Sequence, residues 1–220
     1  MLVLGIDEAG RGPVIGSMII AGVLVEEDTI RKLDEIGCKD SKLLSPSERE
    51  RLAREVEVIA KEVRLVETTA REIDSLRRVI SLNEIEARKI AELIDKFENK
   101  PDKIIIDCPD PEPSRFIARL RKYIDVDEYE LVVEHKADAK YPVVSAASII
   151  AKVARDLHVR ELSEKYGIKL GTGYSHDEDA IKAIEEYLEK DGKLPPFVRK
   201  SWDTSKRILE KKSQKKLIDF

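Results

Sequence analysis

Leu2-Val3-Leu4-Gly5-Ile6-Asp7-Glu8-Ala9-Gly10-Arg11-Gly12-Pro13 decides how the rest of the chain is read. Residues 2–7 form a short apolar run with the composition of a buried strand, and two carboxylates stand where it should end. A glycine-rich turn with one guanidinium follows at once. Acid, amide-rich backbone and cation within one turn suit a metal-dependent reaction on a phosphate ester. Residues 14–25 are again almost wholly apolar and read as a second, long strand. Only Gly10 to Pro13 separates the two runs, so they should form an antiparallel hairpin.

Working outward, Ser45-Pro46-Ser47-Glu48 is a capping box with proline at the first helical position. The helix it starts places Leu52, Val56, Ile59 and Val63 on one stripe. Residues 63–68 read as a third strand, and a long helix is expected over 81–98. Lys103-Ile104-Ile105-Ile106-Asp107 is a short apolar strand ending in acid. A helix over 113–122 leads to a strand over 129–134, and such a strand–helix–strand unit implies parallel pairing. The sheet should therefore be mixed, in an α/β fold. Further helices are expected over 143–164, 177–190 and 202–213, with residues 214–220 as a loose tail.

The composition is compatible with this plan. The chain has 220 residues and is 42% hydrophobic, enough for a substantial core. Charged residues make up 38%, against about 25% in ordinary domains. There is one glutamine, Gln214, and there are two asparagines, Asn83 and Asn99. Many charges with few amides match the hyperthermophile pattern of surface ion-pair networks. Cys38 and Cys108 show no zinc-like spacing, which implies a reduced cytoplasmic setting. The first residues lack a basic segment and meet acid too early for a signal peptide, and no apolar run approaches bilayer length. Net charge is −4, which does not by itself point to nucleic acid. The segment Arg199 to Lys216, however, holds eight Lys/Arg against Asp203 and Glu210, so it reads as a locally basic contact face.

Two expected strands, 2–7 and 103–107, end in Asp. Ligands of open α/β sheets bind beyond the carboxyl ends of strands, so Asp7 and Asp107 would meet there if those strands are neighbours. Glu8 adjoins Asp7, and Asp138 follows the strand over 129–134. Four carboxylates in one crevice repel one another unless cations compensate. Oxygen-only ligands favour Mg²⁺ or Mn²⁺ over zinc, and a pair of such ions drives in-line phosphoryl displacement. Adjacent strand residues point to opposite faces. Either the strand has ended by Glu8, or one of the two acids contributes through its backbone carbonyl or a water. His135, His158 and His176 are too scattered for a metal set, and Cys108 reads as core.

The motifs Asp7-Glu8-Ala9-Gly10-Arg11-Gly12-Pro13, Lys39-Asp40-Ser41-Lys42, Asp107, Ala137-Asp138, Val144-Ser145-Ala146-Ala147-Ser148-Ile149-Ile150-Ala151-Lys152 and Gly171-Thr172-Gly173-Tyr174 together resemble the type 2 ribonucleases H (ribonuclease HII) in compact archaeal form. They stand in family order over residues 1 to about 175. The resemblance implies a ribonuclease H-like fold, a five-stranded mixed sheet flanked by helices, with a small C-terminal helical extension. It divides the chain into a catalytic domain over 1–175, a helical region over 176–213 and a tail over 214–220. It implies a monomer that hydrolyses RNA in RNA–DNA hybrids and cuts 5′ to single ribonucleotides in duplex DNA. The products would carry a 3′-hydroxyl and a 5′-phosphate, and the roles would be ribonucleotide excision repair and primer removal.

By motif position, Asp7, Glu8, Asp107 and Asp138 would be the catalytic carboxylates holding two Mg²⁺ or Mn²⁺ ions. Gly10, Arg11 and Gly12 would read the ribose 2′-hydroxyl, the group that distinguishes RNA from DNA. Tyr174 would stack on the neighbouring sugar and sense a deoxyribose there. Lys42, Ser145, Ser148 and Lys152 would contact phosphates. Gln214, Leu217 and Phe220 resemble the peptide that docks on the DNA sliding clamp, proliferating cell nuclear antigen. Two rival functions are another ribonuclease H-fold nuclease or recombinase acting on DNA, and a non-catalytic RNA–DNA binding module. The Gly-Arg-Gly triplet speaks against the first and the four intact acids against the second.

Overall fold

The computed structural model describes residues 1–38 and 44–218, with side chains as far as Gln214. It contains a five-stranded mixed sheet in the order β3-β2-β1-β4-β5. These strands are β1 (Leu2–Ala9), β2 (Met18–Glu26), β3 (Glu62–Thr68), β4 (Lys103–Asp107) and β5 (Glu130–Glu134). β1 and β2 are antiparallel, from Leu2 opposite Glu26 to Ala9 opposite Ile19. β4 runs parallel to β1 and to β5. The helices are α1 (Ile30–Glu35), α2 (Pro46–Ile59), α3 (Ala70–Leu76), α4 (Leu82–Ile94), α5 (Pro113–Leu120), α6 (Ala137–Lys140), α7 (Pro142–Tyr166), α8 (Glu178–Asp191) and α9 (Asp203–Ile218). Among the described residues no helix is long and apolar enough to cross a membrane.

The chain forms two compact units. The first comprises Met1–Ala9, Ile19–Glu67 and Ser81–Ala154; the second comprises Gly10–Met18, Thr68–Ile80 and Arg155–Phe220. In the first, one face of the sheet packs Val3, Val23 and Ile105 against Val143, Ala147 and Ile150 of α7. Small residues on α7 bring its backbone close. A Cβ on Gly5 would stand 2.4 Å from the Val143 carbonyl. On the other face a Cβ on Gly22 would meet the Phe97 ring at 2.9 Å and Leu4 at 3.2 Å. The second unit has its own core, built from Val14, Ile15, Leu170, Ile184, Leu188 and Phe197.

Several boundaries differ from the sequence expectation for local reasons. β1 continues through Glu8 to Ala9, because pairing with Ile20 and Ile19 of β2 extends the ladder past the acids. β2 begins at Met18 and not at residue 14. Gly16 has φ +84°, a left-handed conformation that breaks a strand. Val14 and Ile15 belong to the second unit's core instead. The capping box at Ser45 forms, but α2 stops at Ile59, and Val63 lies in β3. The tail expected to be loose from residue 214 is helical as far as Ile218.

The charge-rich composition does build a network in the first unit. Buried Glu84 accepts from Arg119 at 2.8 Å, Lys122 at 3.0 Å and Tyr123 at 2.9 Å. Arg119 also donates to buried Asp110 at 3.1 Å, which accepts from Asn83 at 2.7 Å. Burial alone would raise the Glu84 carboxyl. The hydrogen bonds from Lys122, Arg119 and Tyr123 outweigh it and hold the pKa below the ordinary value.

The contact at Gly5 yields a test. Gly5→Ala must push α7 off the sheet, an overpacking that costs about 1–3 kcal/mol or more. Chemical denaturation should show this loss as a lower midpoint at unchanged slope. A wild-type midpoint would mean that α7 does not pack this closely.

Candidate active site

The parallel register sets Ile6 beside Ile106, so Asp7, two residues before the end of β1, follows beside Asp107, the last residue of β4. Side chains alternate across a strand. Asp7 therefore shares the α7 face with Val3, Gly5 and Ala9, and Asp107 shares it with Ile105. Asp7 is buried, accepts from the Glu8 N–H at 2.8 Å and takes a hydrogen bond from Ser148 of α7. Burial, and then the charges of Glu8 and Asp107, push its carboxyl well above the ordinary pKa; the two hydrogen bonds offset only part of this.

Glu8 is half-buried and still within β1. Of the two options left open above, the one in which the strand has ended by Glu8 does not hold. The carboxylates of Asp7 and Glu8 leave β1 on opposite faces while their charges still couple. Asp107 Oδ1 accepts from the Ala137 N–H at 2.8 Å, so it anchors the first residue of α6. That short helix carries Asp138, which is buried. Lys136, just before it, takes a left-handed φ of 57° to make the turn. Cys108 is buried beside these acids, its thiol donating to the Asp110 carbonyl at 3.3 Å. Burial raises its pKa, so it is inert packing.

All the donors are carboxylate oxygens, the chemistry of a hard divalent cation. A buried acid raised by two like charges is what such a cation relieves. The residues therefore fit Mg²⁺ or Mn²⁺. Among the described residues, no three His, Cys, Asp or Glu side chains stand together as a set able to hold an ion. The charges of Glu8 and Asp107 act on Asp7, and Asp138 follows the residue whose N–H Asp107 accepts.

The four residues expected to contact phosphates divide differently. Ser145 is fully buried and its hydroxyl donates to the Cys38 carbonyl. Ser148 is equally buried and serves Asp7. Both hydroxyls have interior partners on the face of α7 that packs against the sheet. Lys152 is half-buried, and Lys42 lies outside the described residues. His135 is exposed and bonds the Pro111 carbonyl at 3.2 Å, while His158 pairs with the Ser17 hydroxyl at 3.1 Å.

In the second unit, Gly10 has φ +85°, and a Cβ there would lie 2.7 Å from the Ser17 carbonyl, so glycine is required. Gly12 is exposed, and a Cβ on it would meet the Tyr174 ring at 3.4 Å. Tyr174 is 37% exposed, with the Arg155 guanidinium 5.7 Å from its ring centroid. The structure thus gathers Gly10, Arg11, Gly12 and Tyr174 into one corner of this unit. Sequence reasoning missed two residues that touch this corner, Arg199 and Trp202, which bond the Gly10, Arg11 and Gly12 carbonyls. Arg199 was hidden in a run of surface-like basic residues. The available signal was that Trp202 is the chain's single tryptophan.

Residues 4–205 match the family model described as Ribonuclease HII. The curated ribonuclease HII of Methanothrix thermoacetophila is 46% identical over 94% of this chain and 97% of its own length. The crystal structure of ribonuclease H2 from Pyrococcus horikoshii superposes with a TM-score of 0.89 at 43% identity, over 96% of this chain and 98% of that one. A ribonuclease HII from Archaeoglobus fulgidus, solved in complex with the sliding clamp PCNA, gives 0.82 at 36% identity, over 92% and 96% of the two chains.

The raised Asp7 pKa makes a stability prediction. A carboxyl raised by folding binds its proton more tightly in the native state, so stability falls as pH rises from the ordinary carboxyl range through the raised pKa. Asp7→Asn removes that loss and keeps the oxygen that accepts from Glu8. In chelator, its Tm should exceed wild type at pH 8 by on the order of 2–4 °C, the response of this size of domain to ~1 kcal/mol. The gap should close toward pH 4. A lower Tm for the variant at pH 8 would show that the ionised Asp7 is not destabilising.

Proposed function

The chain belongs to the ribonuclease HII family, endoribonucleases of RNA–DNA hybrids, and from that premise we propose that it also cuts duplex DNA 5′ to single embedded ribonucleotides. The observation that carries the reading is buried Asp7 of β1, its pKa raised by that burial and then by the charges of Glu8 and of half-buried Asp107, the last residue of the parallel strand β4 beside it. Two Mg²⁺ or Mn²⁺ ions held by Asp7, Glu8, Asp107 and Asp138 would supply an activated water and charge stabilisation for the departing 3′-oxygen. Ser148 and the Glu8 N–H orient the Asp7 carboxylate; the Ala137 N–H orients Asp107. Burial removes competing water from Asp7, so its charge would be compensated by ions and not by solvent.

Gly10, Arg11 and Gly12 recognise the ribose 2′-hydroxyl, with Tyr174 packing on the next sugar. Two supports are the absent side chain at exposed Gly12 and the ring standing over it. Lys42 and Lys152 contact the phosphate backbone. The protein acts in ribonucleotide excision repair and primer removal. Gln214, Leu217 and Phe220 dock on the sliding clamp. Support comes from the clamp complex of the Archaeoglobus relative and from the exposure of Gln214. The helix reaches Ile218; the side chain of Leu217, and Phe220, lie outside what the structure describes.

With Mg²⁺, a DNA duplex carrying one internal ribonucleotide should be nicked on its 5′ side to leave a 3′-hydroxyl. Intact substrate would sink the single-ribonucleotide reading. Asp138→Asn should slow cleavage by more than about 100-fold with duplex affinity retained; wild-type turnover would remove Asp138 from the site. Deleting residues 214–220 should spare cleavage of short duplexes and abolish clamp binding by calorimetry. Unchanged clamp affinity would refute the tail assignment.

A further inference from the structure

Between Gly10 and Gly16 the backbone carbonyls converge on one side chain. Arg199 is fully buried, and its guanidinium donates to three of these carbonyls. Nη2 donates to the Gly10 carbonyl at 2.5 Å, Nη1 to Arg11 at 2.9 Å and Nε to Gly16 at 2.9 Å. The Trp202 indole N–H donates to the Gly12 carbonyl at 3.0 Å. Its ring lies 4.8 Å from the Arg199 guanidinium and 5.0 Å from that of Arg77. Every carbonyl of the Gly-Arg-Gly triplet is thus held by one of two side chains three residues apart.

The segment that carries them is itself tied down. The Arg199 N–H donates to the Val14 carbonyl at 2.9 Å, and the Gly16 N–H donates to Phe197 at 2.8 Å. Ile15 and Val198 form an antiparallel bridge. Asp74 accepts from the Lys200 and Ser201 N–H groups at 2.8 and 2.9 Å. Arg199 suits the task because its rigid planar fork addresses several acceptors at fixed spacing, which a lysine ammonium does not. Burial, and then the charge of Arg155, lower its pKa to about 9. It therefore stays a cation at neutral pH, and its bonds are charge-assisted.

The consequence lies on the other side of each peptide plane. In a trans peptide, the carbonyl of one residue and the N–H of the next point in opposite directions, and no cis bonds occur among the described residues. With the Gly10 and Arg11 carbonyls drawn to Arg199, the Arg11 and Gly12 N–H groups face the opposite way. Residue 13 is proline and has no N–H, so the series ends at exposed Gly12, beside Tyr174.

We infer that Arg199 and Trp202 are positioning residues for ribose recognition: they hold the triplet's carbonyls inward so that the Arg11 and Gly12 amides are preset for the 2′-hydroxyl. This rests on the reading, given above, that the triplet recognises that hydroxyl. Preset donors cost no reordering when substrate arrives. A loop with free carbonyls would sample peptide flips that turn the same amides away.

The test uses the full chain in chelator, so that nothing is cut. Two duplexes identical except for one internal ribonucleotide or deoxyribonucleotide are titrated, and the ratio of their Kd values is the readout. Wild type should favour the ribonucleotide duplex. Arg199→Lys, which keeps the charge but loses the fork, should lower that ratio by about tenfold or to unity. Trp202→Phe, which keeps the ring but loses the N–H, should lower it by less. Affinity for the all-DNA duplex should stay within about twofold of wild type, because the phosphate contacts are untouched. If both variants keep the wild-type ratio whatever their Tm, the two residues are scaffold only and the inference fails. Should Arg199→Lys not fold, Trp202→Phe decides alone. A wild-type ratio of one, in contrast, overturns the triplet's role itself, and the inference with it.

Discussion

Parallel pairing of β1 with β4, Ile6 beside Ile106, is the constraint on which the acidic site depends. It brings Asp7 of β1 and Asp107 at the end of β4 together on one face. That face is covered by α7, whose small residues and the absent side chain at Gly5 allow close approach. Asp7 is consequently both buried and next to other acids, and its ionised form is costly. A site of this kind is unfavourable without a cation. The same crowding that destabilises the metal-free chain provides the driving force for holding one.

The second unit solves a different problem with the opposite charge. Buried Arg199 is held by backbone carbonyls and an indole face, with the charge of Asp74 also favouring the cation. Carbonyl dipoles solvate the cation, and the cation in turn orders the carbonyls. The loop does not need regular secondary structure to be rigid. It needs three acceptors aimed at one fork, and glycine at position 10 to let the chain adopt φ +85° without a clash. The acids and the loop are thus ordered by distinct means, although Glu8 and Gly10 are separated by one residue.

Much of this was legible beforehand. Apolar runs ending in Asp7 and Asp107 marked the strands and their parallel neighbourhood, because buried parallel strands have few other compositions. The capping box at Ser45 and the helix leading to β5 were read correctly for local reasons. The errors were local too. A strand drawn through Gly16 ignored that glycine's freedom to turn the chain. That Ser145 and Ser148 turn inward was not legible, because a hydroxyl on a helix does not announce which way it faces. Arg199 was counted with the surface charges around it.

What the sequence by itself determined is the chemistry available: four acids in motif order, a Gly-Arg-Gly turn, and strands short and apolar enough to build a mixed sheet. These follow from residue type and short-range periodicity. Only the tertiary structure decided which way each group faces. Asp7 and Glu8 are neighbours in the chain yet leave opposite faces of a strand whose length was set by its partner β2. Ser148 serves an acid 141 positions earlier, and Arg199 holds carbonyls 183 to 189 positions away. Burial and partner choice at such separations depend on how distant segments pack, and no local pattern encodes that.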